Sequence, residues 1–235
     1  QIVQPKYDPE ALVDAIENRG ANATALVPTM VARLLAMPDI TRERMANLEI
    51  LGYAGAPMPP EQIRQCFERI TENMSQYYGL VEAIPPVTVL GPEDHLRGIS
   101  GEEAILTSAG LPCNGVEVRI VDENGVDVPA GEIGEVITRG DHVMRGYYGQ
   151  AGADATVTKA VRDGWLHTGD LGRMDADERL YLVDRKGDMI ISGGYNIYPR
   201  EIEDVIAQVP GVHEVAVVGV EDSEWGQLVT AFLSV

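Results

Sequence analysis

DGWLHTGDLGRMDADERLYLVDRKGDMIISGGYNIYP, residues 163–199, divides into three parts that set the architecture. Two amphipathic strands flank an acidic turn: Leu166 and residues 171–174 lead in, Asp175-Ala176-Asp177-Glu178 turn, and residues 180–183 lead out. A charged segment, Asp184-Arg185-Lys186-Gly187-Asp188, then breaks the alternation. Beyond it the apolar triplet Met189-Ile190-Ile191 runs into Ser192-Gly193-Gly194, where glycines without a Cβ let a second backbone or a ligand approach closely. So many polar groups at a strand-to-strand junction exceed what a simple core requires.

Working outward, the first third of the chain alternates helix and strand. Asp8-Pro9-Glu10 supply a cap, a first-turn proline and an acid for a helix whose apolar face is Leu12, Val13 and Ile16 and which Gly20 ends. A strand over 23–27, a helix over 29–37 closed by Pro38, a strand over 48–53 and a helix opened by Pro59-Pro60 follow. The last of these carries Ile63, Phe67 and Ile70 at helical spacing. Such βα units predict a largely parallel sheet with covering helices. From about Gly115 the pattern turns to short alternating strands: 116–121 meets an Asn124-Gly125 turn, a hairpin signal because both residues tolerate positive φ, and 133–138 continues it. Its sheet edges must meet the α/β part somewhere. After the charged segment come a short strand over 189–191, a helix opened by Pro199 with Ile202, Val205 and Ile206 inward, and a strand over 215–220. The fold expected is therefore α/β over 1–114, a β-barrel-like subdomain over 115–185, and the start of a mobile α+β C-terminal domain over 186–235.

With 235 residues, 45% of them hydrophobic, the chain can bury a real core. Its 37 acidic against 18 basic residues give a net charge of −19, which disfavours nucleic acid and anionic membrane as partners. Cys66 and Cys113 stand in unrelated contexts, suggesting neither a disulfide framework nor a metal cluster, and a reducing compartment, the cytoplasm, is expected. No apolar stretch approaches the ~20 residues that span a bilayer, so no transmembrane segment is expected. Gln1 opens no leader sequence and Leu233-Ser234-Val235 lies in an expected strand, so the chain reads as an internal piece of a longer polypeptide.

Five runs in order resemble the successive core motifs of the adenylate-forming enzymes: Gly55-Ala56-Pro57, Gln76-Tyr77-Tyr78-Gly79-Leu80-Val81-Glu82, Gly131-Glu132-Ile133-Gly134-Glu135, 165–170 and the 184–199 stretch. That family comprises acyl-CoA synthetases, aryl-CoA ligases, firefly luciferase and the adenylation domains of peptide synthetases. The resemblance implies activation of a carboxylic acid by ATP to acyl-AMP, then transfer of the acyl group to coenzyme A, with ATP, Mg2+ and coenzyme A as cofactors. The 188–194 and 196–199 runs look more like acyl- or aryl-CoA ligases, implying a fatty or aromatic acid. An adenylation domain loading a carrier protein, and a degenerate nucleotide-binding relative, are the alternatives.

The resemblance also implies residue roles. Gly55, Ala56, Pro57, Tyr77, Tyr78 and Gly79 would bind adenine and the acyl group, although Tyr77 and Tyr78 could equally end a buried strand. Glu82 would serve magnesium, a hard oxygen ligand beside phosphates. Val81 stands where many relatives have a threonine that bonds the α-phosphate. Asp170 would accept hydrogen bonds from both ribose hydroxyls and Arg185 would contact ribose or phosphate, the alternative being an ion pair closing the sheet. Lys186, Gly187 and Asp188 would form the hinge between two domain orientations, with glycine at the pivot where relatives carry Asp or Lys. Ser192, Gly193 and Gly194 would line the coenzyme A thiol's route, or form a plain tight turn. The phosphate loop is expected upstream of Gln1 and the catalytic lysine beyond Val235, so these residues alone are expected to be inactive. His142, His167 and His213 occur singly and receive no role, and neither does His95, in an expected Gly-Pro-Glu-Asp loop.

Overall fold

The computed structural model describes residues 1–147, 160–223 and 225–235. Helices α1 (Pro9–Arg19), α2 (Pro28–Leu35), α3 (Pro60–Arg69) and α4 (Pro92–Ile99) each begin with proline, whose missing N–H costs nothing at a helix start. Asp8 Oδ1 accepts from the amides of Glu10 and Ala11, and Gly20 at φ +73° ends α1. These helices alternate with β1 (Ala23–Leu26), β2 (Ile50–Ala54), β3 (Met74–Leu80) and β4 (Ala83–Leu90), which with β5 (Leu111–Pro112) form one sheet in the order β1-β2-β3-β4-β5.

Only the first three strands are parallel; β4 and β5 run antiparallel. The two residues between β3 and β4, Val81 and Glu82, are too few for the crossover that parallel neighbours require, so the chain folds straight back. Pro85-Pro86 within β4 hid this strand from the sequence pattern. The core under β1–β3 packs Val13, Ile16, Val31, Leu34, Ile63 and Cys66 against Leu51, Tyr53 and Met74. Each such aliphatic side chain contributes roughly 1.5–3 kcal/mol by leaving water. On α3 the inward positions are Ile63, Cys66 and Ile70, while Phe67 is half-buried with the Arg42 guanidinium over its ring.

The second sheet is antiparallel, ordered β10-β9-β7-β6 with β8 beside β9. Its strands are β6 (Glu117–Val121), β7 (Gly134–Arg139), β8 (Val161–Arg162), β9 (Trp165–Met174) and β10 (Leu180–Arg185). Asp122 Oδ1 accepts from Asn124 and Val126 amides around Gly125, φ +79°, giving the expected turn after β6. The edge question has a definite answer. Ala109 N donates to Leu180 O at 2.7 Å and Leu180 N to Gly110 O at 3.0 Å, joining the end of the first sheet to β10. Gly110 must be glycine there, because its φ is +83° and an added Cβ would lie 2.0 Å from Val89 O.

A third sheet, ordered β12-β11-β14-β13, follows. It comprises β11 (Ile190–Ser192), β12 (Tyr195–Ile197), β13 (Glu214–Asp222) and β14 (Gly226–Ser234), with α5 (Pro199–Ile206) packed on β13. Val205 is 66% exposed rather than inward. The inward stripe of α5 is Pro199, Ile202, Glu203 and Ile206, at i, i+3, i+4 and i+7, and position 205 falls off it. No described helix is long and apolar enough to cross a membrane.

Candidate nucleotide site

A cleft of about 310 Å³ opens where the first two sheets meet the start of the third. Its wall includes Gly55-Ala56-Pro57 at the C-terminal end of β2, Tyr77-Tyr78-Gly79 near the end of β3, and Asp170, Arg185 and Asp188. The carboxyl ends of parallel strands are where α/β sheets bind ligands. Gly55, at φ +87°, makes the turn that carries the chain out of β2.

Asp170 reaches the cleft because β9 is bulged. Between the pairs Glu135↔Leu171 and Ile137↔His167, Thr168, Gly169 and Asp170 on β9 oppose Val136 alone on β7. The extra residues bend the strand and re-aim its side chains. Gly169 takes φ +75°, the Thr168 hydroxyl donates to Val136 O at 2.7 Å, and Asp170 N donates to Thr168 Oγ1 at 3.0 Å. Asp170 Oδ2 accepts from the Tyr78 hydroxyl at 2.7 Å, and its Oδ1 stands 3.7 Å from Arg185 Nε. Burial pushes the Asp170 carboxyl above its usual range, with Tyr78 and Arg185 pulling the other way. Burial, then the Asp170 carboxylate, raises the Tyr78 phenol, which stays a protonated donor.

The two tyrosines divide the sheet between them. Tyr78 turns to Asp170, whereas Tyr77, its neighbour on β3, lies over Gly52, where a Cβ would come within 2.7 Å of Tyr77 Cε2. Gly79 has a structural cause: a Cβ there would meet Pro85 Cβ at 2.6 Å.

Lys186, expected at the hinge, is anchored. Lys186 N donates to Gly169 O at 2.8 Å, and Lys186 Nζ to Glu135 Oε2 at 3.0 Å. His167 Nδ1 stands 3.3 Å from the same oxygen. Burial opposes ionisation of Glu135, but the Lys186 ammonium, with the His167 ring beside it, outweighs it and holds the carboxyl below its usual range. Three further charged residues that received no site role from the sequence line the cleft: Asp184, Arg200 and Glu203. Asp184 Oδ2 accepts from Arg200 N at 3.2 Å, capping α5 from β10 because Tyr198 offers no side-chain cap. Sixteen residues separate that pair, beyond any capping-box spacing.

Other expected site residues lie outside the cleft lining. Val81 is 90% exposed in the β3–β4 turn, and Glu82 beside it accepts from the Tyr147 hydroxyl at 2.9 Å. Ser192, Gly193 and Gly194 form the β11–β12 turn, where Gly193, φ +57°, lies against the Trp225 ring and donates to Trp225 O at 2.9 Å. Lys186 and Gly187 sit beside the lining residues Arg185 and Asp188. Among the described residues no three His, Cys, Asp or Glu side chains converge as a metal cage. A magnesium ion at Glu82 would therefore take most ligands from phosphate oxygens and water, the usual arrangement for this cation. For a nucleotide, Asp170 keeps unused acceptor capacity beside an exposed guanidinium, a donor set that fits a sugar diol and phosphate.

The AMP-binding enzyme family matches residues 2–148, and the AMP-binding enzyme C-terminal domain matches residues 201–235. The chain belongs to the AMP-binding enzyme family. Among its AMP-binding relatives, the medium/long-chain-fatty-acid–CoA ligase FadD8 of Mycobacterium tuberculosis is 40% identical over 230 residues, covering 98% of this chain and 39% of FadD8. The amide bond synthetase McbA from Marinactinospora thermotolerans superimposes with a TM-score of 0.87 at 36% identity, over 98% of this chain and 45% of McbA. The O-succinylbenzoate coenzyme A synthetase MenE from Bacillus subtilis, in complex with ATP and magnesium ion, gives 0.83 at 31% identity, over 97% of this chain and 44% of MenE. The chain thus spans less than half the length of each of these AMP-binding proteins.

Proposed function

We propose that the full-length protein is an ATP-dependent, AMP-forming acid–thiol ligase that converts a fatty or aromatic carboxylic acid to its acyl-AMP and then to its coenzyme A thioester. The observation that carries this reading is the convergence of Tyr78, Asp170 and Arg185 on one cleft bounded by the Gly55-Ala56-Pro57 turn. Asp170 and Arg185 grip the ribose and phosphate, and Tyr78 fixes the carboxylate that does so. Glu82 would help hold a magnesium ion, which would supply neutralisation of phosphate charge. The similarity to FadD8 and MenE supports a coenzyme A acceptor and acids of those two classes.

In this reading residues 1–114 and 115–185 are two subdomains of the nucleotide-binding body, and 186–235 opens a domain that turns about Lys186, Gly187 and Asp188. Ser192, Gly193 and Gly194 reach the thiol route after that turn. Acid-dependent exchange of pyrophosphate into ATP, measured on the full-length protein with fatty and aromatic acids, tests the proposal. One acid class supports exchange and coenzyme A accelerates AMP release; absence of exchange with every acid tried would overturn the ligase reading.

A further inference from the structure

Glu135 lies outside the cleft, yet it meets both ends of the machinery that aims Asp170. The bulge begins after His167 and closes at Leu171, the register partner of Glu135. At the bulge apex Gly169 O is held by the amide of Lys186. The side chains of Lys186 and His167 both approach Glu135 Oε2, at 3.0 and 3.3 Å. The carboxylate is only 12% exposed, so its attraction for the Lys186 ammonium is screened far less than that of a surface pair. One anion therefore ties β7 to the residue following β10 and lies beside His167 at the entry of the bulge on β9.

We propose that Glu135 is a positioning residue of the nucleotide site: its carboxylate clamps the Thr168-Gly169-Asp170 bulge against Lys186, so that Asp170 and Arg185 face the same ribose. The proposal rests on the reading of Asp170 as ribose-binding. Glu135 touches no reacting atom; it acts through Lys186. Without its charge, Lys186 loses its anchor, the Lys186–Gly169 bond frays, and the bulge samples orientations in which Asp170 no longer faces the cleft. That loss falls on nucleotide binding, because the acid substrate gains nothing from the ribose grip. An exposed pair on the same sheet, Glu117 with Arg139, lacks this geometry: its side chains are 58% and 46% exposed, and it provides the control.

The test is steady-state pyrophosphate exchange by the full-length protein carrying Glu135→Gln, Lys186→Met, both together, Asp170→Asn, or Glu117→Gln. Glu135→Gln and Lys186→Met each raise the KM for ATP about tenfold while kcat and the KM for the acid stay within about twofold. The double variant is no worse than either single one, since both remove the same clamp. Glu117→Gln changes none of these. A Glu135→Gln protein with unchanged KM for ATP overturns the proposal, as do single effects that multiply in the double variant. Should Glu135→Gln fail to fold, Lys186→Met, altering a half-exposed side chain, reads the same parameter. Asp170→Asn separates the levels: unchanged KM for ATP there refutes the ribose reading itself, whereas a raised KM alongside a silent Glu135→Gln refutes only the clamp.

Discussion

The Tyr78 hydroxyl donates to Asp170 Oδ2 at 2.7 Å, linking residues 92 positions apart across two sheets. The bond holds the carboxylate in one rotamer and leaves its other oxygen for a second donor. Tyr78→Phe removes the tie without changing ring volume, and a hydrogen bond to a charged group is worth about 1.5–3 kcal/mol. The expected result is a roughly tenfold or greater rise in the Kd for ATP. Isothermal titration of the full-length protein measures it.

Asp170 itself is a compromise between binding and stability. Burial raises its folded-state pKa above the ordinary 3.8. Its stabilising contribution is complete below the unfolded pKa and lost as pH rises through the raised folded value, so the ionised carboxylate weakens the fold at neutral pH. Asp170→Asn is expected to raise unfolding stability at pH 7 while weakening ATP binding. Denaturant unfolding with and without ATP checks both signs, and the stabilisation fades below about pH 4.

Tyr53 and His95 form a buried pair, 2.9 Å apart, that is not part of the cleft lining. Gly91 O accepts from His95 Nδ1 at 2.8 Å, which leaves Nε2 to accept from the Tyr53 hydroxyl. Tyr53→Phe strands that lone pair in the core at a cost of about 1–3 kcal/mol. Burial also lowers the His95 pKa below 6.5, so its stability contribution is present above pH 6.5 and lost as pH falls through the folded value. Unfolding midpoints across pH 7.5 to 5 are expected to fall for the wild-type protein on this account.

These cases mark what the sequence could reveal. The hairpin around 175–178 and the helices opened by Pro9, Pro60 and Pro199 were legible because each rests on local chemistry: alternation, caps and turn residues; α4 was not, since Gly91-Pro92-Glu93-Asp94 read as a loop where the chain forms a helix that buries His95. The turn from β3 into β4 was not, since Pro85-Pro86 masked the strand. Asp170 could be singled out from its motif, but its bulge could not, because the bulge exists only against Val136 on another strand. The Asp184 cap on α5 and the Glu135 clamp depend likewise on long-range register, to which a one-dimensional pattern is blind.

Val81 is a direct test of the motif's chemistry. At 90% exposure it contributes nothing to the core, so Val81→Thr is expected to shift stability by less than about 0.5 kcal/mol. If the hydroxyl reaches the α-phosphate as in the resembling enzymes, kcat/KM for ATP rises by about 3–10-fold, the value of one ordinary hydrogen bond. Pyrophosphate exchange on the full-length variant gives the ratio.

A substitution at Gly187 tests the proposed hinge by separating the two proposed half-reactions. Its φ is not in the left-handed region and an added Cβ meets nothing within 4 Å, so this orientation of the hinge does not require glycine. Gly187→Ala is therefore expected to fold and to exchange pyrophosphate at about the wild-type rate. Gly187→Pro fixes φ near −65° and restricts Lys186 as well, which blocks a large rotation about the pivot. If the domain turns there between adenylation and thioester formation, the proline variant loses coenzyme A-dependent release of AMP far more than acid-dependent exchange. Equal loss of both rates, with an unchanged unfolding midpoint, would place the pivot at another residue, because a true hinge block spares the half-reaction whose orientation it preserves.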